Sequence, residues 1–235
     1  MSKLFRTTLR TTATLSVVAC LAIFGSVADV AGAPKAKAKA KAKKPTLNCA
    51  VFMIDAKADK PMTPVTLPPS DVCAPGKRNG FLVPDPDCTP GAINPTLTIT
   101  VLQDKRFRTA CVRDKATSAE KKKDTYEWYH QNHPAKNTGK TQVCELDHLI
   151  SLELGGADTL DNIWPQCGPS KAVLAKRFFK QKDTVENYLA WLVKNNRMKL
   201  DDAQKGISTD WTQFLAKAQM ACPGGTCNDA NLPRP

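Results

Sequence analysis

Hydrophobic and polar positions change their period along this chain, and the changes mark its elements. From Thr96 to Leu102 the apolar residues Leu97, Ile99 and Val101 recur at every second position, as a half-buried strand requires. Ser118 to His130 is a polar run carrying Tyr126, Trp128 and Tyr129, and it predicts a helix. A second period-two pattern covers Cys144 to Leu154, with Leu146, His148, Ile150, Leu152 and Leu154 on one face, and Gly155-Gly156 ends it. A short strand with Asn162 comes next, then a loop with Cys167, Gly168 and Pro169. Ser170 is placed to N-cap a helix reaching about Val193, whose apolar stripe is Leu174, Phe178, Val185, Leu189 and Leu192. Asp201 is placed to cap a last helical region that runs to about Met220, with a break near Gly206. Strands and helices together predict an α+β fold.

The two ends of the chain read differently. Residues 1 to 33 carry Lys3, Arg6 and Arg10, then an apolar segment centred on Leu15 to Val27, then small residues ending at Ala33, which is the layout of a secretory signal. Export, to a periplasm or to the outside, is the expectation. Residues 34 to 45 alternate Lys and Ala and form a cationic arm with nothing to bury, so disorder is predicted there. Its use is either attachment to polyanions or plain solubility. Residues 46 to 87 are Pro-rich and hold Cys49 and Cys73, an irregular or β segment fastened by disulfides. Residues 88 to 220 hold the periodic elements, and 221 to 235 read as a tail.

Charge and cysteine usage narrow the class. The net charge of +12 falls to +10 without the signal, and residues 45 to 235 carry only +4, so the body is mildly basic and the arm holds much of the excess. Outside the signal, no run reaches the roughly 18 apolar residues of a membrane span, which predicts no stable membrane insertion. Without Cys20 eight cysteines remain, an even number that in an exported chain predicts four disulfides, among about 105 possible pairings. A structural zinc site would call for tandem close Cys pairs, and only Cys222 and Cys227 lie near each other.

The residues with chemistry lie between 145 and 164. Adjacent Asp147 and His148, then Gly155-Gly156, then Asn162-Ile163-Trp164-Pro165 resemble the HNH endonuclease family of the ββα-metal superfamily. Lys182-Asp183, Glu186-Asn187, Asp202-Ala203-Gln204 and Asp210-Trp211 resemble the stretch C-terminal to that core in an exported bacterial branch, and the likeness covers roughly residues 88 to 217. It implies a ββα core and metal-dependent phosphodiester hydrolysis of nucleic acid, DNA foremost, with one divalent cation, magnesium, stabilising the transition state. In that scheme His148 is the general base, and an imidazole of pKa near 6.5 is about 90% neutral at pH 7.5. Asp147 is implied as a metal ligand, and Asn162 is implied to order the loop and hold His148 by hydrogen bonding.

The third family position departs from the pattern, because Lys171 stands where a His or Asn is usual. A protonated lysine is no metal ligand. The polar group of Lys182, Asp183, Glu186 and Asn187 is the alternative source, and helical spacing favours Glu186, beside the apolar stripe, over Asp183. Blander readings stand beside each of these. His148 shares a strand face with apolar residues and could be a core histidine, while Asp147 on an ideal strand points the other way. Glu186 could be an i, i+4 surface partner of Lys182. His130 and His133 could pair on a metal or simply end a helix, and Tyr126, Trp128 and Tyr129 could stack on bases or pack inward. Two other functions remain open: a polyanion-binding module with the same fold and no catalysis, and a disulfide-rich structural or inhibitor protein using residues 46 to 87.

Overall fold

The computed structural model describes residues 48–117, 119–132, 137–228 and 231. The signal, the lysine arm, Ser118, His133 and most of the tail beyond residue 228 lie outside the described residues. In chain order the elements are β1 (Lys60–Pro61), β2 (Gly76–Arg78), β3 (Phe81–Val83), β4 (Ala92–Ile93), α1 (Ile99–Gln103), α2 (Ala119–Trp128), β5 (Cys144–His148), β6 (Ile163–Cys167), α3 (Phe178–Lys194), α4 (Leu200–Asp210) and α5 (Leu215–Ala221). The strands form three separate antiparallel pairs, β1 with β4, β2 with β3, and β5 with β6. The class is α+β.

Local sequence explains several of these elements. Asn79-Gly80 joins β2 to β3 with positive φ at both residues, 49° and 85°, the two-residue turn whose twist suits a hairpin. Along α3, Phe179, Val185, Leu189 and Leu192 fall at helical spacing and are buried. Val185, Leu189 and Leu192 pack with Ile150, Leu154, Ile207, Trp211 and Leu215 in the largest apolar cluster, so α3 is the beam onto which α4, α5 and the loop after β5 are laid.

Other expectations are corrected by tertiary packing. Residues 96 to 102 form no strand. Thr98 precedes the short helix α1, and Leu97 and Leu102 are buried with Phe52, Phe107, Val112 and Leu152 while Ile99 is exposed. Leu97 and Val101 are four apart, so the same residues also suit a helix face, and docking on this cluster decides. The strand predicted to reach Leu154 stops at His148, and residues 152–154 are a 3₁₀ turn. Asn162 ends another 3₁₀ turn just before β6. Ser170 caps nothing. α3 begins at Phe178, because the buried Arg177 is held in an extended conformation with its guanidinium donating to the carbonyls of Lys140 and Gln142. The stripe accordingly starts at Phe179, not at Leu174 and Phe178, which are only half-buried. Gly206 does not break α4 either. A Cβ there would lie 2.7 Å from the Phe214 ring, so glycine permits close packing, and the break comes at Trp211, where Asp210 Oδ1 accepts from Thr212 N at 2.9 Å.

All eight cysteines expected to pair do so, as Cys49–Cys111, Cys73–Cys88, Cys144–Cys167 and Cys222–Cys227. The first two bridges and the β1–β4 pair tie residues 48–87 to the described residues that follow them. No described helix is long and apolar enough to cross a membrane.

Candidate active site around His148

β5 and β6 run in register from Cys144 opposite Cys167 to His148 opposite Ile163, with the disulfide joining one end. The loop between them is built on Asn162, whose side chain is fully buried. Its Oδ1 accepts from Ile150 N (2.9 Å) and Ala92 N (3.2 Å), and its Nδ2 donates to Ile150 O (2.9 Å) and Ala157 O (2.8 Å). All four hydrogen-bonding sites of one amide are used, which suits a residue buried among main-chain groups. The loop closes so tightly that a Cβ on Gly156 would lie 1.9 Å from Ile150 O, and only glycine is accommodated. Asn162 therefore orders the loop, as expected. It does not hydrogen-bond the His148 ring, and the expectation of a direct hold on that side chain is corrected.

The group that holds His148 is Asp158, two residues past Gly156. Its fully buried carboxylate places Oδ1 2.7 Å from His148 Nε2 and 2.6 Å from Lys122 Nζ on α2, while Oδ2 accepts from Asp114 N at 3.0 Å. Burial alone would raise the Asp158 carboxyl, but the hydrogen bonds and charges of His148 and Lys122 outweigh it and hold the group at about 2. Burial pushes the His148 imidazole below its ordinary value, against the pull of Asp158, so the ring is neutral at neutral pH. A neutral ring beside a carboxylate carries its proton on Nε2, which leaves a lone pair on Nδ1.

Asp147 turns away from this arrangement toward α3. Lys182, whose side chain is fully buried, sets Nζ 2.9 Å from Asp147 Oδ2, 2.5 Å from Glu186 Oε1 and 2.7 Å from the main-chain oxygen of His148. The contact with Asp147 is an ion pair without hydrogen-bond geometry, so Oδ2 has no donor of its own. Burial, opposed by Lys182 and reinforced by Asp147 and Asp183, pushes the Glu186 carboxyl up to about 8. Burial would lower Lys182, but the two carboxylates override it and keep the ammonium charged. The Lys182–Glu186 pair is thus buried at the centre of the site and is no surface pair.

Asp147, His148 and Glu186 line one polar cavity of about 190 Å³, together with Thr109, Arg113, Glu145, Ser151, Glu153 and Asp183. Asp183 lies on its wall, 2.7 Å from Lys180. Arg113 is exposed, is the one cationic side chain lining this cavity, and makes no hydrogen bond or ion pair among the described residues. Ser151 Oγ is buried with no hydrogen-bond partner among the described residues. Lys171 is exposed in the connection to α3 and does not line the cavity. Tyr126 and Tyr129 are buried, Tyr129 with Trp164, so these two rings pack inward. His130 is exposed at the end of α2 with φ of 47°, and its proposed partner His133 lies outside the described residues.

The donor set does not suit the magnesium ion that the resemblance implies. The oxygens of Asp147 and Glu186 that converge on one point converge on Lys182 Nζ, and among the described residues no group of three or more His, Cys, Asp or Glu is arranged to hold a metal. Asp158, Lys122 and Arg113 carried no sequence signal beyond residue type, although an acid two residues after the Gly-Gly turn was a visible cue for Asp158. No protein-family model, curated protein or solved structure matches this chain.

Proposed function

We propose that this protein is an exported HNH-type endonuclease that hydrolyses phosphodiesters in nucleic acid, DNA foremost. The observation that carries the reading is the Asp158–His148 pair at the wall of a polar cavity that also presents Arg113 and Ser151. The order β5, glycine loop, β6, α3 supports an HNH-type ββα core, and four disulfides suit an oxidising, extracytoplasmic setting.

The chemistry assigned to the protein's own side chains is short. His148 Nδ1 takes a proton from water, the oxygen attacks phosphorus, and the bond to the leaving ribose oxygen breaks, with that oxygen taking up a proton from solvent. Asp158 keeps the base in the right tautomer and stabilises the imidazolium that forms. Arg113, exposed on the cavity wall, is the side chain offered to the phosphate oxygens.

A second reading, a polyanion-binding module without catalysis, draws on Lys182 standing between the two carboxylates. Incubating the oxidised protein and His148→Ala with supercoiled plasmid, in magnesium and in chelator, separates the two. Nicking by the wild type that falls by ~10²- to 10⁴-fold in His148→Ala is expected. Equal nicking by both proteins would sink the assignment of the base, and DNA retention without nicking would favour the binding module.

A further inference from the structure

Lys182 is a charge with no exposed surface at the heart of the site. Its ammonium is enclosed by one oxygen from each of three sources: the strand carboxylate Asp147, the helix carboxylate Glu186, and the main-chain carbonyl of His148. We infer that Lys182 is the resident cation of this site, taking the position between Asp147 and Glu186 that a divalent metal would otherwise bridge, and positioning His148 through its carbonyl. The inference concerns the cavity of the proposed nuclease but rests on these contacts and not on cleavage.

Geometry favours the ammonium over a metal. The 2.7 Å contact with the His148 carbonyl has the length of a charge-assisted N–H···O bond, Glu186 lies closer still, and Asp147 completes the cage as an ion pair at 2.9 Å. Magnesium draws oxygens to about 2.0–2.1 Å in a near-octahedral shell and keeps several waters. Lys182 is fully buried, which leaves no room for those waters beside it. The ammonium donates to two of the three oxygens that surround it, Glu186 Oε1 and the His148 carbonyl, and the charge of Asp147 lies 2.9 Å away. A divalent ion bridging the same two carboxylates would also face the ammonium across a few ångströms in a low-dielectric setting, a repulsion that only displacement of the lysine would relieve.

The helix places Lys182 for this task. Positions 182 and 186 are one turn apart on α3, so Lys182 reaches Glu186 along its own helix while pointing at the end of β5. Val185 and Leu189, both fully buried, anchor the same helix in the core, and they fix the height at which the ammonium meets β5. Because the His148 carbonyl is one of its three partners, Lys182 ties the strand end that carries the base to the helix.

The test is cation occupancy in the oxidised protein, read by nuclear magnetic resonance with Mn²⁺ as the probe. Expected for the wild type is no selective loss of the Asp147, His148 and Glu186 amide signals at one equivalent of Mn²⁺. For Lys182→Met, which keeps an unbranched side chain one atom shorter and removes the charge, selective loss of those signals and its reversal by excess Mg²⁺ are expected. Selective loss in the wild type, or a folded Lys182→Met that shows none, overturns the inference. If Lys182→Met does not fold, the wild-type Lys Nζ spectrum decides. A slowly exchanging ammonium signal unchanged by Mg²⁺ supports the assignment, and its displacement by Mg²⁺ overturns it. None of these signals depends on cutting DNA, so failure of the nuclease proposal appears separately in the plasmid assay.

Discussion

Replacing Asp158 by Asn removes one charge and almost no volume, and the surroundings of the carboxylate set the size of the effect. Asp158 is fully buried, and Oδ1 is shared by His148 Nε2 and Lys122 Nζ. Those contacts hold its carboxyl at about 2 in place of an ordinary 3.8. At about 1.4 kcal/mol per pKa unit, the charged form contributes about 2 kcal/mol to stability. A depressed carboxylate stabilises the fold above its unfolded value of 3.8, and the contribution is lost as pH falls toward 2. Urea unfolding tracked by tryptophan fluorescence should show Asp158→Asn less stable by about 2 kcal/mol at pH 7, with the gap closing between pH 3.8 and 2.

Cleavage should suffer more than stability. Losing the carboxylate that fixes a catalytic imidazole's tautomer lowers turnover by up to about 10⁴-fold in serine proteases, and a fall of ~10²- to 10⁴-fold is expected here. In a His148→Ala background the same change should cost no further activity, because Asp158 acts through His148. An equal loss with and without His148, or a stability gap that stays constant down to about pH 2, would refute the reasoning.

Two further outcomes are expected. Arg113→Gln should raise the KM for DNA by about tenfold or more and flatten the dependence of binding on salt by about one ion, read from cleavage and binding at several salt concentrations; an unchanged salt slope would remove Arg113 from the phosphate. Gly156→Ala forces a Cβ to 1.9 Å from Ile150 O and should lower stability by about 3 kcal/mol in urea unfolding, whereas a neutral result would show that the loop is not closed as described.

The part of the site legible in the sequence is the part made of near neighbours. Asp147, His148, the two glycines and Asn162 lie within sixteen residues, and the Asn162 side chain closes the loop with three bonds inside that span and one to Ala92. That Glu186 faces the cavity was also within reach, because helical spacing sets it beside the buried stripe, but Asp183 lines the same cavity and Glu186 meets Lys182 there. The strand expected at residues 96–102 failed for the opposite reason. Leu97 and Val101 satisfy both periods, and Phe52, Phe107 and Leu152, which pack with Leu97 and Leu102, come from distant segments.

By itself the sequence determined the even set of cysteines, the Asn79-Gly80 hairpin turn, the apolar stripe of α3 and the pairing of an acid with an imidazole on one strand end. These arise from residue chemistry and local spacing, which act over a few bonds. Tertiary structure alone decided that Asp158 and Lys122 meet at His148, that Arg113 enters the cavity, and that Lys182 stands between Asp147 and Glu186. The physical reason is that a buried charge is tolerated only where opposite charge and hydrogen-bonding groups converge on it, and that convergence exists only once α2, β5 and α3 have packed.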